Sequence, residues 1–374
     1  MRNRLHSLCP YFAMFPERFA RRHIKKFTKV GDYVLDPFSG RGTTVLEALL
    51  MDRKAAAVDI NPVAYCVSAA KAKAPSLPEV LSELQKLESK YRLCSKSRLD
   101  KERHLLPEFF PRAFHFETLK QIIFLRNKLK WRRKSVDRFI AALALGSLHG
   151  EMDRSSSYFS NQMPRTISTK PDYSLKYWRK KQLWPKKRDV FEILRSRAHL
   201  RLGGKVPAFR GQVALSDARK AAAIFPSLRR KVAAVITSPP YLDVTNYEED
   251  QWLRLWFLGY EPNPTYGKIS SDDRHVAQKN YWSFLASVWR GIAPLIRPNA
   301  KLICRIGTKR IKKSEITSGL KKSVIEVFPG ASLIRKPATS VLKKRQTEAF
   351  RPGSTGCLFE IDYVFNLKKT KKSA

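Results

Sequence analysis

The sequence predicts an α/β fold with a mostly parallel sheet, and three observations carry that expectation. Short apolar runs of strand length alternate with helical patterns toward both ends of the 374-residue chain. A glycine-rich turn joins the first of these strands to the first helix, at the start of a βαβα run that predicts a parallel sheet. The middle of the chain breaks the alternation with helical patterns and dense basic clusters, so it looks like a region inserted into a sheet domain.

Tyr33-Val-Leu-Asp-Pro-Phe38 is short and apolar, the pattern of a buried strand, and Thr43 to Leu50 has helical character. Ala55-Ala-Ala-Val-Asp59 is a second strand, followed by a helix through Ala64 to Lys73. Within residues 76–205 the patterns Leu119 to Trp131 and Val136 to His149 are helical. Arg126 to Lys134 and Lys176 to Arg188 are basic, and Ser155 to Thr169 is polar with little periodicity. Alternation resumes with strands at Gly211 to Leu215 and Ala233 to Thr237, a helix at Tyr281 to Ile296, a strand at Lys301 to Ile306 and a helix at Lys312 to Phe328. Segments near Ser332 to Lys336 and Cys357 to Phe365 close the sheet. The expected division is a sheet domain formed by residues 1–75 and 206–367, an inserted basic helical region at 76–205, and a lysine-rich, disordered tail at 368–374.

Charge narrows the partners. Seventy-three Lys and Arg against 32 Asp and Glu leave a formal charge of +41. An enzyme of small neutral metabolites has no use for that excess, which costs self-repulsion; a polyanion explains it through phosphate contacts and counterion release. Cys9, Cys66, Cys94, Cys304 and Cys357 form no CxxC pair, so neither a zinc site nor a dithiol motif is expected. There is no apolar run of membrane-spanning length and no signal-peptide core, which predicts a soluble, cytoplasmic protein.

Two segments carry chemistry. In Asp36-Pro-Phe-Ser-Gly-Arg-Gly-Thr-Thr44, Gly40 and Gly42 permit a tight turn and close approach of a ligand, and the helix that follows offers free N–H groups. The turn lacks the Gly-Lys-Ser/Thr ending of a nucleoside-triphosphate loop and the full GxGxxG spacing of dinucleotide folds. Asp59, at the end of the second strand, suits the two ribose hydroxyls of an adenosine cofactor; the alternative is a helix cap ahead of Asn61-Pro62. Ser238-Pro239-Pro240-Tyr241 follows an apolar strand. Its prolines hold the chain extended, leaving carbonyl oxygens free to accept from an amino group, and Tyr241 offers a flat face for an extruded base. The same tetrapeptide also suits a strand-ending turn with a buried tyrosine.

Together these segments resemble the DNA amino-methyltransferases, the N4-cytosine and N6-adenine group, over about residues 1–75 and 210–365. The resemblance implies a Rossmann-like class I methyltransferase fold with a seven-stranded sheet and S-adenosyl-L-methionine as cofactor. Asp36, Pro37, Phe38, Gly40, Gly42, Thr43, Thr44 and Asp59 would hold the cofactor. Asp217 would contact its adenine, and Phe15, within Tyr11 to Pro16, would cover its methionine part. Ser238, Pro239, Pro240 and Tyr241 would be the catalytic loop, and residues 76–205 the target-recognition region. Serine at the first loop position resembles the N4-cytosine branch, with N6-adenine the alternative. C5 methylation of cytosine is disfavoured because no cysteine follows a proline; Cys9 precedes one.

The implied substrate is double-stranded DNA, with a cognate restriction endonuclease or defence system as a further partner. An RNA amino-methyltransferase on the same fold is the competing reading, although no appended RNA-binding module is visible. Within the insert, Arg126, Arg132, Arg133 and Lys134 are candidates for phosphates, and Asn161, Gln162, Arg165 and Thr166 for base edges. The acidic run at Glu248 to Asp250 is expected to cap a helix carrying Trp252 and Trp256.

Overall fold

The computed structural model describes residues 2–11, 15–151, 157–162, 170–204, 206–241, 247–264, 278–308, 311–341, 357 and 359–368. In chain order the elements begin with α1 (Glu17–Phe27), β1 (Tyr33–Asp36), α2 (Thr43–Leu50), β2 (Lys54–Asp59) and α3 (Pro62–Ala72). The helices α4 (Leu77–Leu93), α5 (Lys96–His104), α6 (Phe109–Ala113), α7 (Phe116–Lys128), α8 (Ser135–Leu145), α9 (Pro171–Lys180) and α10 (Val190–Leu202) follow. Then come β3 (Gln212–Leu215), α11 (Ala221–Ile224), β4 (Val232–Thr237), α12 (Tyr247–Phe257), α13 (Gln278–Ile292), β5 (Ile296–Thr308), α14 (Lys313–Val327), β6 (Gly330–Leu333), β7 (Ala338–Val341) and β8 (Phe359–Lys368). The chain divides into two compact units. One comprises residues 1–11, 73–206 and 246–268; the other comprises 12–72, 207–245 and 269–374.

The second unit contains the sheet. Its strand order is β3-β2-β1-β4-β5-β8-β6, with β7 also paired to β8. The pairs β1–β2, β2–β3, β1–β4 and β4–β5 are parallel, whereas β8 runs antiparallel to β5, β6 and β7. β6 and β7 share one edge of β8, β7 along Phe359–Asp362 and β6 along Phe365–Lys368. Among the described residues the sheet therefore has eight strands where seven were expected. The additional one, Ala338-Thr-Ser-Val341, is four exposed residues without an apolar face, too weak a pattern to announce itself.

Burial explains the layering. Every residue of β4 is buried, as a central parallel strand covered on both faces demands. Neighbours in a strand point to opposite faces. Val34 joins Phe19, Ile24, Val45 and Leu49 from α1 and α2 on one side. Leu35 joins Leu285, Trp289 and Leu320 from α13 and α14 on the other. The Trp289 indole N–H donates to Ser323 Oγ at 3.2 Å, so the largest side chain of that layer buries no unpaired donor. The result is an α/β/α sandwich of the Rossmann-like class. The helix expected to run to Ile296 stops at Ile292; Ala293-Pro-Leu295 forms one tight 3-10 turn, and β5 begins at once.

The first unit is helical. α4 opens with a capping box, in which Ser76 accepts from the Glu79 N–H while the Glu79 carboxylate accepts from the Ser76 N–H. Val80, Leu84, Leu87 and Tyr91 form its buried face. Phe109 and Phe110 of α6, Trp178 of α9 and Trp252 and Trp256 of α12 make an aromatic cluster with ring centroids 4.4–5.9 Å apart. The helix expected to carry the two tryptophans is thus α12. Among the described residues no helix is long and apolar enough to cross a membrane.

Candidate active site

β3, β2, β1 and β4 lie side by side and parallel, so their carboxyl ends form one rim of the sheet. Strand order reverses at β1/β4, the position where open α/β sheets leave a crevice for ligands. Asp36 ends β1, Asp59 ends β2, Asp217 lies two residues beyond β3, and Ser238 follows β4. Residues from four separate stretches are thereby delivered to one edge.

The glycine-rich turn is held by backbone conformation and by Asp59. Gly40 and Gly42 have φ of 49° and 74°, in the left-handed region that side chains disfavour. At Gly42 a Cβ would lie 2.8 Å from Ser68 Cα and Cβ, so α3 can approach only because the side chain is absent. Asp59 Oδ2 accepts from the Gly40 N–H at 2.8 Å and Oδ1 from the Asn61 N–H at 2.9 Å. The helix cap weighed for Asp59 is supplied instead by Asn61, whose Oδ1 accepts from the Val63 N–H at 2.8 Å. Each Asp59 oxygen has two acceptor positions and uses one on backbone. The carboxylate thus keeps acceptor capacity for a vicinal diol, which fits the ribose of an adenosine cofactor. Burial raises the Asp59 pKa to about 6.

Asp36 joins the two motifs. Its Oδ1 accepts from Thr237 Oγ1 at 2.7 Å and from the Phe38 N–H at 3.1 Å, while Thr44 Oγ1 donates to the Ile236 carbonyl at 3.1 Å. Oδ2 is buried without a protein partner among the described residues. Burial outweighs the donors and lifts the Asp36 pKa to about 7. A carboxylate with a raised folded-state pKa stabilises the fold fully only below its unfolded value, near 4, and that contribution is lost as pH rises through about 7. Asp36→Asn should therefore gain stability relative to the wild type as pH is raised across this window. Urea unfolding of both proteins at a series of pH values checks it; a constant difference would contradict it.

The Ser238-Pro-Pro-Tyr segment is pinned at its tyrosine. Ser238 Oγ donates to Tyr241 Oη at 3.2 Å, and Tyr241 Oη donates to Glu360 Oε1 of β8 at 2.9 Å. Tyr241 is only 8% exposed, and a Cβ on Gly307 of β5 would lie 2.5 Å from its Cε2. The ring therefore rests against bare backbone. Beneath it, Arg305 contacts Glu360 Oε2 at 3.1 Å and grips Asp362 in a two-pronged pair at 2.6 and 2.8 Å. The Arg305 guanidinium also lies 4.1 Å from the Phe19 ring centroid.

The remaining candidates divide. Pro37, Thr43 and Thr44 are buried in the turn. Phe38 packs edge-on against Phe284 at 5.9 Å. Phe15 sits in the α1 core with its ring 5.0 Å from Phe19; residues 12–14 beside it lie outside the described residues. Asp217 caps the short turn Ala218–Lys220 and pairs with Arg219 at 2.5 Å. In the helical unit, Arg133 and Lys134 are exposed, and Arg132 donates to Tyr260 Oη at 3.0 Å. Arg126 is a structural tie, donating to the Trp256 and Tyr260 carbonyls at 2.8 and 3.2 Å. Gln162 is buried, its side chain donating to the Arg112 carbonyl, so it does not offer the open edge expected of a base reader. Asn161 is adjacent and partly buried; Arg165 and Thr166 lie outside the described residues. Among the described residues no group of three or more His, Cys, Asp or Glu is placed to hold a metal ion.

Thr237, Asn61, Arg305 and Glu360 escaped the sequence reading. Thr237 and Asn61 stand beside the motifs, so a search for partners of Asp36 and Asp59 would have reached them. Arg305 and Glu360 become neighbours only through the β5–β8 register, which pairs Arg305 with Asp362 and places Glu360 opposite Gly307.

The DNA methylase family model matches residues 2–71. Type II methyltransferase M.MjaI of Methanocaldococcus jannaschii is 47% identical over 49 residues, 13% of this chain and 16% of that protein. Orphan methyltransferase M.BamHII of Bacillus amyloliquefaciens is 44% identical over 54 residues, 14% of this chain and 20% of that protein. Type II methyltransferase M.Cfr9I of Citrobacter freundii is 44% identical over 52 residues, 14% of this chain and 17% of that protein. The matched stretches thus span a fifth or less of these relatives. The family match contains the Asp36–Thr44 turn and Asp59, the two features that the geometry ties together at the sheet rim, so the likeness to DNA amino-methyltransferases is carried by this N-terminal segment of the chain.

Proposed function

We propose that the protein methylates an exocyclic amino nitrogen of a base in double-stranded DNA, and that the target is N4 of cytosine. One observation carries the reading: the Thr237–Asp36 hydrogen bond holds the Ser238-Pro-Pro-Tyr241 segment beside the glycine-rich turn. When bound, S-adenosyl-L-methionine supplies an electrophilic methyl group. Asp59 would accept from its ribose hydroxyls, Asp217 would contact its adenine, and Gly40 and Gly42 allow close approach. Ser238 Oγ and the Pro239 carbonyl would accept the two amino hydrogens of an extruded base. That favours a pyramidal, more nucleophilic nitrogen, so catalysis is mainly positioning and local electrostatics.

Duplex DNA as substrate is supported by the charge of +41 and by exposed Arg133 and Lys134 within residues 76–205, the proposed target-recognition region. Cytosine is supported by serine, rather than asparagine or aspartate, at the first loop position. A cognate endonuclease is a further proposed partner, in keeping with the type II relatives.

Incubating the full chain with methyl-labelled cofactor and duplex DNA, then digesting to nucleosides, should yield N4-methylcytosine. N6-methyladenine as the sole product would overturn the choice of base and leave amino methylation standing. Label entering structured RNA but not DNA would overturn the DNA assignment.

A further inference from the structure

We propose that Glu360 is a positioning residue which, through Tyr241, orients the Ser238 hydroxyl so that the serine oxygen faces the target amino group as an acceptor. The inference rests on the methyl-transfer reading above and adds a residue that neither motif contains.

The argument is one of hydrogen-bond direction. An ionised carboxylate can only accept. Glu360 Oε2 is held by Arg305 at 3.1 Å, and Oε1 faces Tyr241 Oη at 2.9 Å, so the tyrosine proton must point at Glu360. Tyr241 Oη then has only lone pairs left for Ser238, whose Oγ lies 3.2 Å away, so the serine proton must point at Tyr241. Both Ser238 lone pairs are thereby left for other donors. An exocyclic amino group presents only donors in this position, and a serine proton aimed at it would repel it. The chain Ser238→Tyr241→Glu360 converts an ambivalent hydroxyl into a dedicated acceptor, and such chains reinforce one another when buried.

The anchor is built to keep its polarity. Arg305 is tied to Asp362 through two hydrogen bonds and lies over Phe19, so it cannot swing away and release Glu360. Tyr241 is buried against Gly307, which fixes the ring that carries the middle hydroxyl. The groups facing Glu360 are Arg305 from β5, Asp362 from its own strand and Tyr241 from the loop after β4. Burial raises the Glu360 pKa, while Arg305 and the Tyr241 hydrogen bond oppose that rise.

The test exploits polarity rather than packing. In Glu360→Gln the amide oxygen must face Arg305, so its NH2 group faces Tyr241 and reverses the chain. Tyr241→Phe keeps the ring on Gly307 and cuts the chain. Each variant should lower single-turnover kcat by about tenfold, the worth of one misdirected hydrogen bond. Affinities for S-adenosyl-L-methionine and for duplex DNA should not change. The double variant should be no slower than Tyr241→Phe alone, because both act through one path. Losses that multiply, or a Glu360→Gln protein as fast as the wild type, would overturn the proposal while leaving methyl transfer intact.

A readout independent of turnover is the carboxyl carbon-13 titration of Glu360. Its midpoint should rise in Tyr241→Phe, where one donor is lost, and an unchanged midpoint also overturns the proposal. A folded wild type that binds the cofactor yet methylates no DNA would overturn the functional reading and this inference with it.

Discussion

Replacing Ser238 with alanine is expected to lower the single-turnover rate of methyl transfer by about a hundredfold or more, the usual cost of deleting one oriented polar partner at a reacting centre. Cofactor affinity should stay near the wild-type value, because the contacts proposed for the ribose come from Asp59 on a different strand. Fold stability should also hold, since Tyr241 keeps its bond to Glu360. Rapid-quench kinetics with saturating cofactor and DNA, together with equilibrium binding of each, measure the three quantities separately. An undiminished rate would remove Ser238 from the reaction. A lost cofactor affinity would mean that the segment after β4 serves the turn rather than the target base.

A second large effect is expected at Arg305, on stability rather than turnover. Its side chain is 9% exposed, and the carboxylates it serves, Glu360 and Asp362, are 13% and 12% exposed. Arg305→Met keeps much of the volume but strands two nearly buried negative charges, which should cost about 3–5 kcal/mol. Urea unfolding at neutral pH measures it. Burial already raises the Glu360 pKa and Arg305 opposes that rise, so removing the arginine pushes it higher still. The penalty is therefore full while Glu360 is ionised and shrinks as pH falls through its raised value. Combining Arg305→Met with Glu360→Gln and Asp362→Asn should restore much of the loss, since no uncompensated charge remains. A single variant as stable as the wild type would show that water reaches the cluster.

Much of the sheet was legible because a central parallel strand has a plain signature. Val232 to Thr237 is buried throughout and its sequence is apolar as far as Ile236, so pattern and environment coincide. β7 was missed for the opposite reason. It is an exposed edge segment held by pairing with β8, and backbone pairing leaves little trace in side chains.

The helical unit was legible only in part. α7 and α8 were anticipated, whereas α4 passed unnoticed although Ser76 and Glu79 spell out its capping box. At the site, the two motifs were found because local chain geometry requires glycine and proline at fixed spacings. Their couplings were not, because Thr237–Asp36 and Tyr241–Glu360 depend on strand order and register. That Arg126 and Gln162 donate to backbone carbonyls was not legible, because a polar side chain looks the same in sequence whether it faces solvent or a carbonyl.

The bond between Asp36 and Thr237 spans 201 residues, and this has a temporal consequence. Gly40, Asp59 and Ser68 lie close in sequence, so the glycine-rich turn can close as soon as that short stretch is made. The β1–β4 pairing must wait for the whole helical segment 73–206. At roughly 5–20 residues per second, a ribosome needs about ten to forty seconds to cross that gap. Non-local parallel pairing is slow to form even afterwards. Throughout that interval the Asp36 carboxylate lacks its threonine partner, and the half-built rim has one motif without the other. The rim that joins the two motifs is thus completed late, after segment 73–206 has been synthesised.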